Sequence, residues 1–377
     1  MDLVKAVKDM GVVGAGGGGF PTHLKIRSPL TMVIGNGSEC EPLLSNDKYL
    51  LEYEGEKVIG GLDLVMKSTG AETGILAMKK DSAWLADRLR EIIGQRDGLR
   101  LFPVDDYYPA GDEHLLVWEV AGRQIPPGDI PLSVGCLVLN VETLANVYRA
   151  SQGESVTRRT LSCAGAVRQP SVVRARLGMA MQEIIELCGG PTVEDYCLVV
   201  GGPMMGTIEF DPLSPVTKTT AGLIVLPRDH SLVRKRTLPL SFIVKQSKAA
   251  CCQCTYCTEL CPRYLLGHPL LPHKIMRQIN LGLDIPQEVI QNAFLCSECG
   301  LCEVYACPME LSPRIINQTI KRQLTQAGFQ PRYSTAAGSV GETFRYRKIP
   351  SSVVRNRLQL MHYPAHPLSP VLETDPA

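Results

Sequence analysis

No apolar run in this sequence approaches the roughly 18 residues that a membrane-spanning helix requires, and that pattern excludes a helical membrane anchor. Net charge is nearly missing as well: 39 Lys and Arg against 38 Asp and Glu leave +1. No whole-chain field therefore favours nucleic acid or an anionic membrane. A secretory signal is also missing, because Met1 to Met10 scatters Lys and Asp through a helical pattern. The expected setting is a reducing compartment. What is present is ordinary in bulk. Hydrophobic residues at 45% and charged residues at 20% suit a globular protein, and 377 residues suffice for two or three domains.

Cysteine breaks that ordinariness. Of 14 cysteines, nine lie between Cys251 and Cys307. In a reducing compartment such crowding points to metal or catalysis and not to disulfides. The first run is Cys251-x2-Cys254-x2-Cys257-x3-Cys261-Pro262, the spacing of a bacterial 4Fe–4S ferredoxin. Two-residue spacers let three thiolates meet three corners of one cube, and the Cys-Pro turn sends the fourth elsewhere. The second run, Cys296-x2-Cys299-x2-Cys302-x4-Cys307-Pro308, carries one extra residue. Zinc is the competing reading for isolated Cys-x2-Cys pairs. The doubled spacing, twice over, favours two 4Fe–4S clusters. Cross-ligation assigns Cys251, Cys254, Cys257 and Cys307 to one, and Cys296, Cys299, Cys302 and Cys261 to the other. Cys252 is out of register and reads as a spare or buried thiol. Cys40, Cys136, Cys163, Cys188 and Cys197 read as core or incidental. With eight ligands supplied, His268 and His273 are expected to bond locally or face solvent.

The order of elements predicts three domains and a tail. Residues 1–155 read as α/β, with strands at Leu30–Ile34 and Gly74–Met78. Helices are expected at Asp47–Met66, Ser82–Ile93 and Val141–Ala150. Pro and Gly between Tyr108 and Gly135 predict ordered loops around one short helix. Residues 156–235 read as a small α+β domain, with strands at Thr160–Ala166, Cys197–Val200 and Gly222–Leu226. One helix, Met181–Cys188, stops at Gly189–Gly190. Residues 240–330 read as mostly helical around the cysteines. The stretch 331–377 is expected to be irregular, poorly ordered or docked on a partner.

The run Gly14-Ala15-Gly16-Gly17-Gly18-Gly19-Phe20-Pro21-Thr22, followed by Lys25, lets backbone N–H groups approach a phosphate with a cation close by. A glycine run alone is as readily a linker. It has neither the preceding strand of a dinucleotide fingerprint nor the Gly-Lys-Ser/Thr of a P-loop. Three companions strengthen it. Gly35-Asn36-Gly37-Ser38-Glu39-Cys40-Glu41-Pro42 follows a strand, where α/β ligand loops sit. Tyr108-Pro109-Ala110-Gly111-Asp112-Glu113 is a second acidic loop, and Asn140-Val141-Glu142-Thr143 stands at a helix start.

Gly14 to Lys25 resembles the flavin loop of the NADH-binding flavoprotein of respiratory complex I and of the C-type component of the Rnf complex. The companion motifs follow in the same order. The resemblance implies bound FMN with NADH stacked on it. Gly14, Gly16, Gly17, Lys25, Asn36, Glu39 and Asn140 would contact FMN. Phe20, Glu41 and Glu113 would contact NADH, with Phe20 against the nicotinamide half or the adenine. Ser38 stands where complex I has an acidic residue, and Ala15 where it has a basic one.

Cys251 through Arg277, and the longer spacer before Cys307, are similar to the cobalamin reductases of propanediol-utilization bacterial microcompartments. Residues 160–206, with Gly201-Gly202-Pro203-Met204-Met205-Gly206, resemble the β-grasp ligand-binding module of those proteins. Members usually continue into a C-terminal β-rich module past the point where this resemblance stops, near residue 350. The resemblance implies an oxidoreductase that passes NADH electrons through FMN and two 4Fe–4S clusters to cobalamin. It implies a place inside a microcompartment in the bacterial cytoplasm, with a cobalamin adenosyltransferase and shell proteins as partners. The chemistry needs such parts: nicotinamide gives a hydride, clusters take single electrons, and flavin adapts one to the other. An alternative is the electron-entry component of an ion-translocating Rnf-like complex. That reading would call for a β-rich domain before the flavin loop and a Lys/Ala-rich tail. A third is a shell-associated wiring protein with a degraded flavin site.

Overall fold

The computed structural model describes residues 2–26, 29–80, 83–94, 96–281, 287–333, 338–364 and 371–374. The first layer is a four-stranded parallel sheet in the order β3-β2-β1-β4, with β1 at Met32–Gly37, β2 at Thr73–Lys79, β3 at Leu99–Val104 and β4 at Cys136–Asn140. The run Val33–Gly35 is buried as a block and not in alternation, because helices cover both faces. Helices Gly55–Thr69 and Val141–Ser151 pack so closely that a Cβ on Gly61 would stand 2.0 Å from the Leu144 carbonyl oxygen. Only glycine fits that crossing.

The expected strand at Leu30–Ile34 lies two residues further on. The single helix expected at Asp47–Met66 is two, Asn46–Tyr53 and Gly55–Thr69. They part at Glu54, whose backbone leaves the helical region (φ −123°, ψ 22°) and whose carboxylate pairs with Arg149 and Lys57. The start of the helix expected at Ser82 lies outside the described residues. Strand β3 went unread, since its burial does not alternate cleanly.

The middle domain is a six-stranded mixed sheet in the order β10-β6-β5-β9-β7-β8. Its strands are β5 Arg158–Gly165, β6 Ser171–Arg176, β7 Tyr196–Val200, β8 Thr207–Glu209, β9 Gly222–Pro227 and β10 Leu372–Glu373. The central β5–β9 pair is parallel, and the hairpins β5–β6 and β7–β8 and the β7–β9 pair are antiparallel, as in a β-grasp. Helix Met181–Leu187 lies across it and ends before Gly189 and Gly190, both left-handed. The third domain is helical, with helices Leu240–Ala250, Pro272–Leu281 and Pro313–Gln326 framing the cysteine runs. Among the described residues no helix is long and apolar enough to cross a membrane.

The described part of the tail packs on this chain. Phe344 joins the core under the first sheet, and Ile349, Val354, Leu358 and Leu360 join the core shared by the middle and cysteine domains. Leu372 and Glu373 then pair with β6.

Candidate active site

The glycine loop closes on itself. Gly14 N donates to Phe20 O at 2.8 Å and Gly19 N to Gly14 O at 3.1 Å. Gly17 (φ 102°) takes a backbone shape that side chains resist, and a Cβ on Gly17 or Gly18 would meet nothing within 4 Å. The loop is held from two sides. Ala15 N donates to Thr143 Oγ1 at 2.9 Å, and Ala15 O accepts from Arg159 Nη2 at 2.8 Å. Arg159 belongs to the middle domain and forms a buried ion pair with Glu142. A cation thus reaches Ala15 from outside its own motif.

Strand register supplies the next residues. Asn36 and Asn140 end the neighbouring parallel strands β1 and β4 and lie opposite each other. Asn36 Nδ2 donates to Gly111 O at 2.9 Å, which ties the second acidic loop to the first. Asn140 caps helix Val141–Ser151 through Glu142 N, and its amide donates to both Asp47 oxygens at 3.1 and 2.9 Å. Asp47 N in turn donates to Glu39 Oε2 at 3.1 Å. Burial, with the Asp47 charge added, holds Glu39 well above the usual carboxylate range, and burial, with the Glu142 charge added, raises Asp47 to about 6.

These parts surround one cavity of about 730 Å³. Gly14, Gly16, Gly17, Phe20, Lys25, Asn36, Glu39, Glu41, Glu113 and Asn140 all line it. Lys25 Nζ pairs with Glu113 Oε1 at 3.2 Å and lies 5.9 Å from the Phe20 ring centre. Glu41 lines the cavity, and its carboxylate also accepts from Met204 N and Met205 N at 2.8 and 2.9 Å, so it grips the middle domain. Cys40, read as incidental, is also in the wall, and burial pushes its thiol up to about 12. Ser38 Oγ and Thr22 Oγ1, both buried in the wall, have no partner. A ligand rich in carbonyls, ring nitrogens and phosphate oxygens suits such a lining.

Several wall residues were not singled out in the sequence. Asp47, Arg159 and the middle-domain segment Thr219–Ala221 carry no local motif, since their partners are distant in the chain, whereas Gly201 and Gly202 belong to the glycine motif of the β-grasp module. Tyr108 lines the wall too, and its hydroxyl donates to Cys299 O at 2.7 Å. Cys299 and Ser297 themselves reach the cavity.

The eight cysteines fall into two sets. Cys261, Cys296, Cys299 and Cys302 ring one small void, and Cys251, Cys254, Cys257 and Cys307 ring another. That is the cross-ligated grouping. Among the described residues no three His, Cys, Asp or Glu side chains close on a single metal ion. The backbone repeats: Gln253 and Glu298, inside the first Cys-x2-Cys of each run, are left-handed, as are Thr255 and Gly300. Left-handed turns aim N–H groups inward. Glu298 N donates to Cys296 Sγ and Leu311 N to Cys307 Sγ, both at 3.4 Å. The extra residue of the second run is absorbed by a widened π turn at Cys302–Ala306. Burial pushes Cys257 and Cys296 up to about 12 and raises Cys261, Cys299 and Cys302 too. Metal ligation removes that cost by replacing the proton. Cys252 is exposed. His273 bonds Thr258 Oγ1 at 2.7 Å, a nearby partner, while His268 bonds Ile125 O of the first domain at 3.1 Å, which is not the local partner expected.

Comparison with known proteins places these features. The Nuo51 FMN-binding domain matches residues 7–149, the SLBB domain residues 163–208, and the 4Fe-4S dicluster domain residues 250–312. Cobalamin reductase PduS of Citrobacter freundii is 40% identical over 370 residues, covering 98% of this chain and 81% of that one. The chain belongs to the PduS cobalamin reductase family. Within the wider group, the C-type component of the Na(+)-translocating ferredoxin:NAD(+) oxidoreductase complex of Acetobacterium woodii is 33% identical over 269 residues, 70% of this chain and 58% of that one. An NAD+-reducing NiFe hydrogenase in its H2-reduced state shares the fold with a TM-score of 0.57 at 21% identity, over 88% of this chain and 63% of that one. Like its PduS relatives, the chain is an oxidoreductase built on an FMN-binding domain and an iron–sulfur domain.

Proposed function

We propose that the chain is an NADH-dependent cobalamin reductase, drawing electrons through FMN and two 4Fe–4S clusters to reduce cob(III)alamin and cob(II)alamin. One observation carries the reading. The cavity lined by the glycine loop also touches Cys299, a member of one sulfur set, so a single wall separates the two kinds of cofactor site. FMN, when bound, takes a hydride's two electrons and releases them singly.

The chain's own residues then have defined tasks. Gly14, Gly16 and Gly17 admit a phosphate against the backbone, and Lys25 supplies charge once drawn from Glu113. Asn36, Asn140 and Glu39 present polar groups along one edge of the cavity, and the Glu39–Asp47 pair holds a proton there. Phe20 offers an aromatic face to the nicotinamide cofactor beside Glu113. Glu41 holds the middle domain as a lid wall and would meet the cofactor only at its edge. Each set of four cysteines holds one cluster. The cellular role that follows is reactivation of a B12-dependent diol dehydratase during 1,2-propanediol use, inside a microcompartment, beside an adenosyltransferase and shell proteins.

The test is anaerobic. Purified chain is reconstituted with iron, sulfide and FMN, and NADH-driven loss of hydroxocobalamin absorbance is followed. Expected are about eight irons and one FMN per chain (four irons per set) and NADH-dependent cobalamin reduction. Flavin uptake with ferredoxin reduction but no cobalamin turnover would overturn the substrate, and zinc in place of iron would overturn the whole reading.

A further inference from the structure

The two sulfur sets share a backbone but not their electrostatics. After Cys261-Pro262 comes Arg263; after Cys307-Pro308, at the matching place, comes Met309. Arg263 is turned inward, and its Nη2 donates to Asp112 Oδ2 at 3.0 Å with both side chains about nine-tenths buried. Met309 is 43% exposed. The backbone N–H groups of Arg263 and Tyr264 also point at the Cys261 sulfur.

Asp112 belongs to the cavity. It lines the wall and caps helix Glu113–Ala121 by accepting from His114 N and Leu115 N at 3.0 and 3.3 Å. The next residue, Glu113, holds Lys25. One ion pair therefore joins the cavity wall to the turn that carries a cluster ligand. The two histidines packed beside it add no charge. His114 and His268 lie edge to face at 5.2 Å, and burial followed by Arg263 lowers them to about 3 and about 4, so both are neutral.

We infer that Asp112 and Arg263 are a positioning pair that sets the reduction potential of the cluster held by Cys261, Cys296, Cys299 and Cys302, independently of the cluster held by the other set. The inference rests on the proposed function, in that both sets hold clusters. Cluster potential follows net nearby charge and hydrogen bonds to sulfur. A buried cation favours the more negative, reduced cluster, and a buried anion opposes it.

The experiment is an EPR-monitored redox titration of the reconstituted full chain, with iron, sulfide and flavin counted in each sample. Asp112→Asn leaves Arg263 uncompensated, so one of two cluster signals shifts to a higher midpoint. The expected change is about tenfold in its reduction equilibrium, or about 59 mV for one electron. Arg263→Met shifts the same signal lower by a similar factor, Arg263→Lys keeps it near wild type, and the other signal moves least in all three. If Asp112→Asn fails to assemble, the Met-against-Lys comparison at Arg263 decides by the same rule. Clusters that assemble with both midpoints unmoved, or singles that shift in one common direction, overturn the inference. A wild-type chain that takes up no iron overturns the proposed function instead.

Discussion

Lys25 is the residue on which flavin retention turns. Its partner Glu113 is 41% exposed at the side chain, so the existing ion pair is weak and a phosphate competes for the ammonium with ease. Lys25→Ala should weaken FMN retention roughly tenfold, about 1.4 kcal/mol, with cluster absorbance unchanged; equilibrium dialysis against FMN reads it. The Glu39–Asp47 pair makes a second prediction. Both carboxyls are raised by burial, Asp47 to about 6 from an unfolded value near 4. A raised carboxyl stabilises the fold below its unfolded pKa, and that contribution is lost as pH climbs through the folded value. Asp47's contribution therefore falls between about pH 4 and pH 6. Asp47→Asn removes the penalty, so the Tm of the variant minus that of wild type should grow more positive across that window. A difference flat with pH would exclude a raised Asp47 carboxyl. The ten cavity residues could be read in the sequence because glycine, asparagine and glutamate sit in short local motifs. Asp47 and Arg159 could not, because their meaning lies in partners 93 and 17 residues away.

At the scale of elements, two of the four strands of the first sheet, β1 and β2, and its main helices followed from apolar runs, while β3 and β4 did not. Helix periodicity runs unbroken through Glu54, but its ion pair with Arg149 turns the chain there. The crossing of helices Gly55–Thr69 and Val141–Ser151 is set by one missing Cβ. Gly61→Val forces a side chain into the Leu144 carbonyl and should cost roughly 1–3 kcal/mol, lowering Tm by several degrees. An unchanged melting curve would mean that the helices can separate freely. The π turn at Cys302–Ala306 could be read only as a spacing anomaly, since one extra residue does not say where the backbone widens.

Across the whole molecule, three domains meet at the loop Gly201–Gly206. Glu41 reaches it from the first domain. Arg236 donates to Pro203 O, Met204 O and Gly206 O, and Arg314 of the cysteine domain donates to Met204 O at 2.5 Å. Met204 itself is fully buried. Glu41→Ala leaves the Met204 and Met205 N–H groups without their acceptor and should cost roughly 1–3 kcal/mol. The apoprotein should then melt earlier and be cut faster by protease near residues 201–206. Loss of NADH affinity alone, at unchanged melting, would return Glu41 to a purely cofactor-facing role.

The paired left-handed residues have a consequence of their own. Gln253 with Thr255, and Glu298 with Gly300, trace the same bend twice. Two sockets of one shape can therefore accept the same part while the side chains beneath them diverge. A neighbouring side chain can therefore retune one socket without rebuilding the other, and arginine after one Cys-Pro against methionine after the other is such a difference.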